Sequence, residues 1–181
     1  MRLSRSFAHQ LNKGFTLIET IVGIVVLALS FSILTTLIYP LSEQSADQLH
    51  QIKAAELAQS VLNEIQHKAF DENSDMAGGL VRCGETGADD CSDVMGKETG
   101  ETRATFDDVD DYNSLPAGEI EDSQGDVLTL YTGYAMSISV CNDANYDGSC
   151  TGNTSTAKLI IVTITTPTGF VLNFSTYRAN F

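Results

Sequence analysis

The chain has 181 residues, with 24 Asp and Glu against 10 Lys and Arg, which gives a formal net charge of −14. This balance excludes nucleic-acid binding through clustered basic side chains, and 43% hydrophobic residues exclude a wholly disordered chain. The length accommodates one ordinary domain with an appendage. The charges are strongly segregated along the chain.

The first 39 residues have the composition of a membrane anchor. Residues 1–14 carry three bases and no acid, while the 25 residues 15–39 include 17 apolar residues and a single charge, Glu19. A helix of this length, rising about 1.5 Å per residue, spans the roughly 30 Å hydrocarbon core of a bilayer. Basic residues before the span predict a cytoplasmic N-terminus and a single pass, with the rest of the chain outside.

Two ordinary kinds of membrane segment fit this pattern less well. A secretory signal peptide has an apolar core of about 7 to 15 residues followed by a small-residue cleavage site, and the run here is longer with no obvious site of that kind. A plain signal anchor leaves the acid unexplained, because an ionisable group inside a membrane helix costs about 2.5–3.5 kcal/mol. We therefore interpret Glu19 as functional.

The sequence Lys13-Gly14-Phe15-Thr16-Leu17-Ile18-Glu19 resembles the processing signature of type IV prepilins and type II secretion pseudopilins. In that family a short basic leader ends in Gly, and Glu is the fifth residue after the cut. The resemblance implies cleavage between Gly14 and Phe15 by a membrane-embedded prepilin peptidase, with N-methylation of Phe15. It also implies an assembly role for Glu19, which would neutralise the α-amino group of Phe15 of a neighbouring subunit when the helix moves from the bilayer into the fibre core.

Beyond the span, the hydrophobic pattern predicts that the helix continues past Pro40. Apolar residues return at spacings of three and four, with Leu49 and Ile52 at the start of the stripe. We expect one helix of roughly 50 residues, with residues 15–39 in the membrane or fibre core and residues 40–70 as its exposed continuation. Two helices separated at Pro40 are the alternative. The main stripe consists of Leu57, Ala58, Val61, Leu62 and Ile65.

Residues 71–126 form an acidic region. They hold 17 of the 24 acids and eight of the 14 glycines. Such a composition lacks the apolar density of long regular elements, so it predicts loops and short turns.

Residues 127–181 have balanced charge and read as an antiparallel β-sheet. Apolar residues alternate from Tyr134 onward, and Pro167-Thr168-Gly169 predicts a hairpin turn. Residues 127–131 would extend or precede the first strand, and Tyr131, Tyr134 and Phe170 are expected in the sheet core. A long helix packed on such a sheet is an α+β arrangement, which matches the pilin-like fold that the N-terminus implies.

The four cysteines lie in the part of the chain expected outside the cytoplasm, where disulfides persist. Cys83 and Cys91 are eight residues apart, Cys141 and Cys150 are nine apart, and each pair brackets a loop rich in Gly and Asp. Three pairings are possible, and the local one is favoured because it closes the shorter loops. No Cys-x-x-Cys spacing or nearby His supports a metal site made by these thiols.

Two acidic motifs are candidates for cation binding. Asp143, Asn145 and Asp147 match the first half of an EF-hand-type loop and predict a Ca²⁺ site, although the twelfth position of that loop is Thr154. A polar hairpin tip is the alternative there. Residues 107–111 place four carboxylates close together, an arrangement that requires solvation, capping by backbone N–H groups or a shared cation.

No catalytic grouping is recognisable in the sequence. His9 lies in the leader, and His50 and His67 lie on the predicted helix, so no Ser, Cys or Asp can be grouped with a histidine. We therefore expect a structural subunit and not an enzyme.

Further blocks are similar to the MshD minor pilins of the mannose-sensitive haemagglutinin (MSHA) pilus system of Gram-negative bacteria. The resemblance implies insertion in the inner membrane with a periplasmic domain, then delivery by an inner-membrane assembly platform to a fibre or its tip at the cell surface. Other major and minor pilins would be the neighbours, and pilus assembly and surface attachment the function. A minor pseudopilin of a type II secretion system and a tip adhesin or ligand-binding module are the alternatives. The blocks are residues 54–60, 68–75, 82–85 and 106–112.

Overall fold

The computed structural model describes residues 14–75, 82–150, 152 and 155–181, except for the side chains of residues 39–43. Residues 1–13 of the predicted leader, including His9, and Thr154 of the predicted calcium loop lie outside these ranges. The chain divides into two compact units, Met1–Ala46 and Asp47–Phe181.

The described part of the first unit is mainly apolar helix. Helix α1 spans Leu17–Gln66, 50 residues, and its residues up to Ala46 belong to this unit. The stretch Leu17–Ile38, 22 residues, is long and apolar enough to cross a membrane, and none of it is buried. Because so much exposed apolar surface is unfavourable in water, this stretch requires a bilayer or partner subunits around it. Helical backbone continues through Pro40, as expected for one helix and not two.

The second unit is a helix packed on a sheet. Strands β1 (Ala135–Asn142), β2 (Ala157–Thr165) and β3 (Val171–Ala179) form an antiparallel sheet in the order β1-β2-β3. In the register, Ile138 of β1 lies opposite Val162 of the central strand β2. The C-terminal part of α1 packs on this sheet, which confirms the α+β, pilin-like class predicted from the sequence.

The hydrophobic core of this unit lies between α1 and the sheet. Residues three and four apart on α1 pack against alternate residues of β1 and β2, the two periodicities that a helix and a strand produce. Leu49 and Ile52 are 55% and 57% exposed, so the buried stripe starts at Ala54, later than the sequence indicated. The buried residues of α1 in the core are Ala54, Leu57, Ala58, Val61 and Ile65.

Residues 127–131 precede β1, which is one of the two possibilities that the sequence left open. Thr129–Tyr131 form a 3-10 turn instead of extending the strand, and Gly133, with a φ of +86°, separates this turn from β1. Tyr134 is buried and Tyr131 packs partly buried against the core, as expected. Phe170 is 50% exposed, contrary to prediction, because it lies in the hairpin turn before β3 begins.

Residues 71–126, which we call the acidic middle, contribute to the core and are not only solvated loop. Ala69, just after α1, forms a bridge with this segment: its N–H donates to the Asp107 carbonyl at 3.0 Å, and its carbonyl accepts from the Val109 N–H at 3.1 Å. Phe106, Val109 and Tyr112, spaced three residues apart, are buried in the main core. A short 3-10 helix, Arg103–Thr105, directly precedes Phe106, and a second one, Asp110–Ser114, contains Tyr112.

Candidate processing and assembly site

The predicted cleavage bond, between Gly14 and Phe15, lies in accessible backbone. Residues 14–16 are non-helical and precede α1 directly, and Phe15 is 81% exposed. A Cβ added at Gly14 would meet no atom within 4 Å, so the packing of the described chain does not require glycine there. Exposed irregular backbone is where proteases cut, and any need for glycine therefore lies with an enzyme that reads this site.

Glu19 lies in the first turn of α1 and forms a capping box with Thr16. The Thr16 N–H donates to Glu19 Oε2 at 3.5 Å, and the Glu19 N–H donates to Thr16 Oγ1 at 3.3 Å. This reciprocal pair satisfies two of the N–H groups that a helix leaves free at its N-terminus. Sequence reasoning missed it, although Thr-x-x-Glu before an apolar run is the signature of the motif.

The structure contains two disulfides, Cys83–Cys91 and Cys141–Cys150, which are the local pairings favoured from the sequence. Cys83 and Cys91 are buried against Phe70. The Asn180 side chain donates to the Cys83 carbonyl at 3.1 Å, so the first disulfide loop is attached to the C-terminal end of the sheet.

The residues of the predicted calcium loop come together, but the Asp143 carboxylate holds the loop itself. Its Oδ2 accepts from Tyr177 Oη at 2.7 Å and from the Gly148 N–H at 2.8 Å. Asn145 Nδ2 donates to Asp147 Oδ2 at 2.8 Å. Burial acts to raise the pKa of Asp143, but these hydrogen bonds outweigh it and hold the pKa below its ordinary value. The contacts are those of a closed hairpin tip, and calcium binding there stays a prediction.

A buried lysine lies at the centre of the acidic middle. Lys158 of β2 is fully buried, and its Nζ contacts Asp71 Oδ2 at 3.1 Å and also Asp110 Oδ1. The ammonium lies 4.7 Å from the centre of the Phe70 ring. Buried charges are tolerated when paired, so this triad explains why Asp71 and Asp110 are inside. Sequence reasoning missed it, although a lysine within the apolar run 157–162 was the available signal.

The acids beside this triad cap their own turn. Asp108 Oδ1 accepts the N–H groups of Asp110 at 2.9 Å and Asp111 at 3.2 Å. Asp111 Oδ2 accepts those of Asp107 at 2.9 Å and Asp108 at 3.1 Å. Capping by backbone N–H groups is thus present, as the sequence allowed. Burial, together with the Asp110 charge, raises the pKa of Asp108 to about 7, and burial raises the pKa of Asp111 to about 7.

His50 on α1 and His67 directly after its end both have structural contacts. His50 Nδ1 lies 2.7 Å from Tyr134 Oη, which links α1 to the start of the sheet. His67 Nδ1 lies 2.6 Å from the Asn63 carbonyl. Each ring therefore helps to position a local element.

Comparison with known families finds one match. Residues 10–35 match the family model described as the prokaryotic N-terminal methylation motif. No curated protein sequence and no solved structure gives a significant match to this chain. The matched stretch contains Gly14, Phe15 and Glu19, so it supports a type IV pilin-like structural subunit, anchored by its N-terminal apolar helix and processed by a prepilin peptidase.

Proposed function

We propose that the chain is a minor pilin of a type IV pilus, similar to the MshD subunit of the MSHA system, and that it is built into the fibre or its tip. The observation that carries this proposal is the accessible Gly14–Phe15 bond just before the apolar stretch Leu17–Ile38, in which no residue is buried. Cutting before this helix leaves the membrane anchor on the mature chain, as a subunit that moves from bilayer to fibre requires.

The assembly step follows from the chemistry of the new N-terminus. Cleavage turns the Phe15 N–H into an α-amino group, whose ordinary pKa of about 7.7–8.0 leaves it largely cationic at neutral pH. Among packed apolar helices that charge needs a partner, and Glu19 of a neighbouring subunit supplies it. Glu19 would then exchange its 3.5 Å contact with the Thr16 N–H for a charge-assisted bond, which is stronger.

The remaining parts of the chain fit delivery across the inner membrane. The disulfides Cys83–Cys91 and Cys141–Cys150 suit the oxidising periplasm, where the second unit would fold. An inner-membrane assembly platform would then transfer the processed subunit to other major and minor pilins. The minor-pilin assignment rests on the MshD-like blocks, which include residues 106–112, all buried except Asp107.

The experiment that tests this function is a deletion strain complemented with the chain. We expect fewer surface pili after deletion, unchanged enzyme secretion, and recovery of the complementing chain in sheared fibres far below the amount of the major subunit. Normal pili with lost secretion would contradict the proposal and identify a pseudopilin.

A test of the adhesin alternative requires substitutions of exposed side chains, because larger changes would disturb the core. Deleting much of the acidic middle would remove Phe106, Val109 and Tyr112 from the core and would unfold the second unit. Replacing exposed side chains such as Val94, 79% exposed, leaves the core intact. Normal pili that no longer attach would then identify an adhesin.

A further inference from the structure

Five acids from three parts of the chain converge in the second unit. Carboxylate oxygens of Glu98, Glu101 and Asp111 lie within 4.8 Å of one another, and so do those of Glu72, Glu98 and Asp108. The two groups share Glu98. We refer to these five residues as the acidic cluster; it is separate in sequence from the Asp143 loop.

Two members of the acidic cluster are buried and incompletely bonded. Asp108 is 1% exposed and Asp111 is 0% exposed, and each uses one oxygen to cap the turn. The other oxygens, Oδ2 of Asp108 and Oδ1 of Asp111, have no hydrogen-bond partner among the described residues, and neither has Oε2 of Glu98. A buried charged oxygen without a partner destabilises the fold strongly, so these oxygens require a cation or protons.

The nearby bases are engaged with other groups. Lys97 Nζ donates to the backbone carbonyl of Glu101 at 3.0 Å, and Lys68 Nζ donates to the backbone carbonyl of Phe106. Arg103 forms an ion pair with Glu64, with 2.7 Å between Arg103 Nη2 and Glu64 Oε1. In the described part of the chain, the observed ion pairs therefore leave the acidic cluster without a basic side chain.

Burial raises the proton affinity of three members of the acidic cluster. Burial, together with the contact to Glu101, raises the pKa of Glu98 to about 8. Burial likewise raises the pKa values of Asp108 and Asp111 to about 7, whereas burial acts to raise the pKa of Glu101 but hydrogen bonds with Glu98 hold it below its ordinary value.

We propose that Glu98, Glu101 and Asp111 bind one Ca²⁺ ion, with Asp108 and the exposed Glu72 beside the site. The donor set is oxygen only, as hard cations require, and irregular backbone suits the flexible geometry of calcium better than the strict octahedron of Mg²⁺. The ion would join Glu98 and Glu101 to Asp111 and so stiffen the acidic middle. This site goes beyond the pilin function and does not depend on it.

The test is a calcium titration of the full-length chain in detergent after removal of divalent ions with a chelator. We expect Ca²⁺ up to about 5 mM, in the range of extracellular sites, to raise the Tm of the second unit by about 5 °C. Mg²⁺ should have a smaller effect. Glu98→Gln and Glu101→Gln should each remove most of the Ca²⁺ shift, whereas Asp147→Asn, in the predicted EF-hand-type loop, should retain it.

Each outcome decides for or against the site. In chelator, Glu98→Gln should be at least as stable as the unmodified chain because it relieves repulsion, so a lost calcium response does not report misfolding. If that variant fails to fold, Glu101→Gln decides. An unmodified chain without a Ca²⁺ shift, a full shift in both Gln variants, or loss of the shift in Asp147→Asn would each overturn the proposal.

Discussion

Thr16 and Glu19 bond reciprocally at the start of α1, through contacts of 3.5 Å from the Thr16 N–H to the Glu19 carboxylate and 3.3 Å from the Glu19 N–H to the Thr16 hydroxyl. The same acid thus caps the helix in a single chain and, in the proposed fibre, neutralises the amine of a neighbour. Capping needs a hydrogen-bond acceptor, for which Gln also serves, whereas neutralisation needs a charge.

Substituting Glu19 separates these two roles. We expect Glu19→Gln and Glu19→Ala both to be cleaved, and both to appear in sheared fibres at roughly a tenth of the normal amount or less, because an unpaired buried amine costs several kcal/mol. Immunoblots of fibre and membrane fractions measure this. Normal incorporation of Glu19→Gln with loss of Glu19→Ala would assign the role to capping and contradict the charge mechanism.

Substituting Gly14 tests recognition by the peptidase. Gly14→Val should block cleavage without affecting folding, because a Cβ at Gly14 has open space around it. Gly23→Val is the matched control: a Cβ at Gly23 also meets no atom within 4 Å, but the residue lies inside α1 and away from the cut. We expect it to be cleaved normally, as read by the mass of the membrane-extracted chain. Equal cleavage of both variants would count against the assigned site.

Removing the buried lysine should strongly destabilise the second unit. Lys158→Met leaves Asp71 and Asp110 buried without their cation, and breaking a buried ion pair in this way costs about 3–5 kcal/mol. Thermal or urea unfolding of the full-length chain in detergent measures the loss.

Two further variants control for this effect. Adding Asp71→Asn and Asp110→Asn to Lys158→Met should recover much of the stability, because the uncompensated charges are then gone. Lys53→Met, on the part of α1 that is only half-buried, should change the free energy of unfolding by about 0.5 kcal/mol or less. A loss under about 1 kcal/mol for Lys158→Met would show that the triad is not buried in solution.

The acidic cluster predicts that the stability of the second unit depends on pH in an unusual way when a chelator removes divalent ions. The folded-state pKa values of Asp108 and Asp111 are about 7, above the ordinary value of 3.8. Folding therefore favours the protonated form, and this stabilisation is complete below about pH 4 and is lost as the pH rises through about 7. Glu98, with a pKa of about 8, extends the loss to higher pH.

We accordingly expect the Tm of the second unit in chelator to fall between about pH 5 and pH 9. Saturating Ca²⁺ should reduce this fall, because the ion stabilises the deprotonated carboxylates. With chelator present and no added Ca²⁺, Glu98→Gln should also reduce this fall in Tm. A Tm that rises over this range in chelator would be inconsistent with the buried acids.

The sequence predicted well those features that depend on local pattern. The helix stripe at Leu57, Val61 and Ile65 and the alternation in β1 follow directly from the periods of a helix and a strand, and the disulfide pairs followed from loop length. The triad of Lys158, Asp71 and Asp110 was not predictable in this way, because residues far apart in sequence meet only through the packing of the acidic middle on the sheet. Composition identified residues 71–126 as acidic but could not show which acids are buried.

The most direct test of the central claim is the intact mass of the chain extracted from the inner membrane of a strain with an active prepilin peptidase, read under non-reducing conditions. We predict a chain that begins at Phe15, carries one added methyl group, and lacks four hydrogens because of the disulfides Cys83–Cys91 and Cys141–Cys150. Recovery of the uncleaved chain, with Met1 or its immediate neighbour at the N-terminus, would contradict the account.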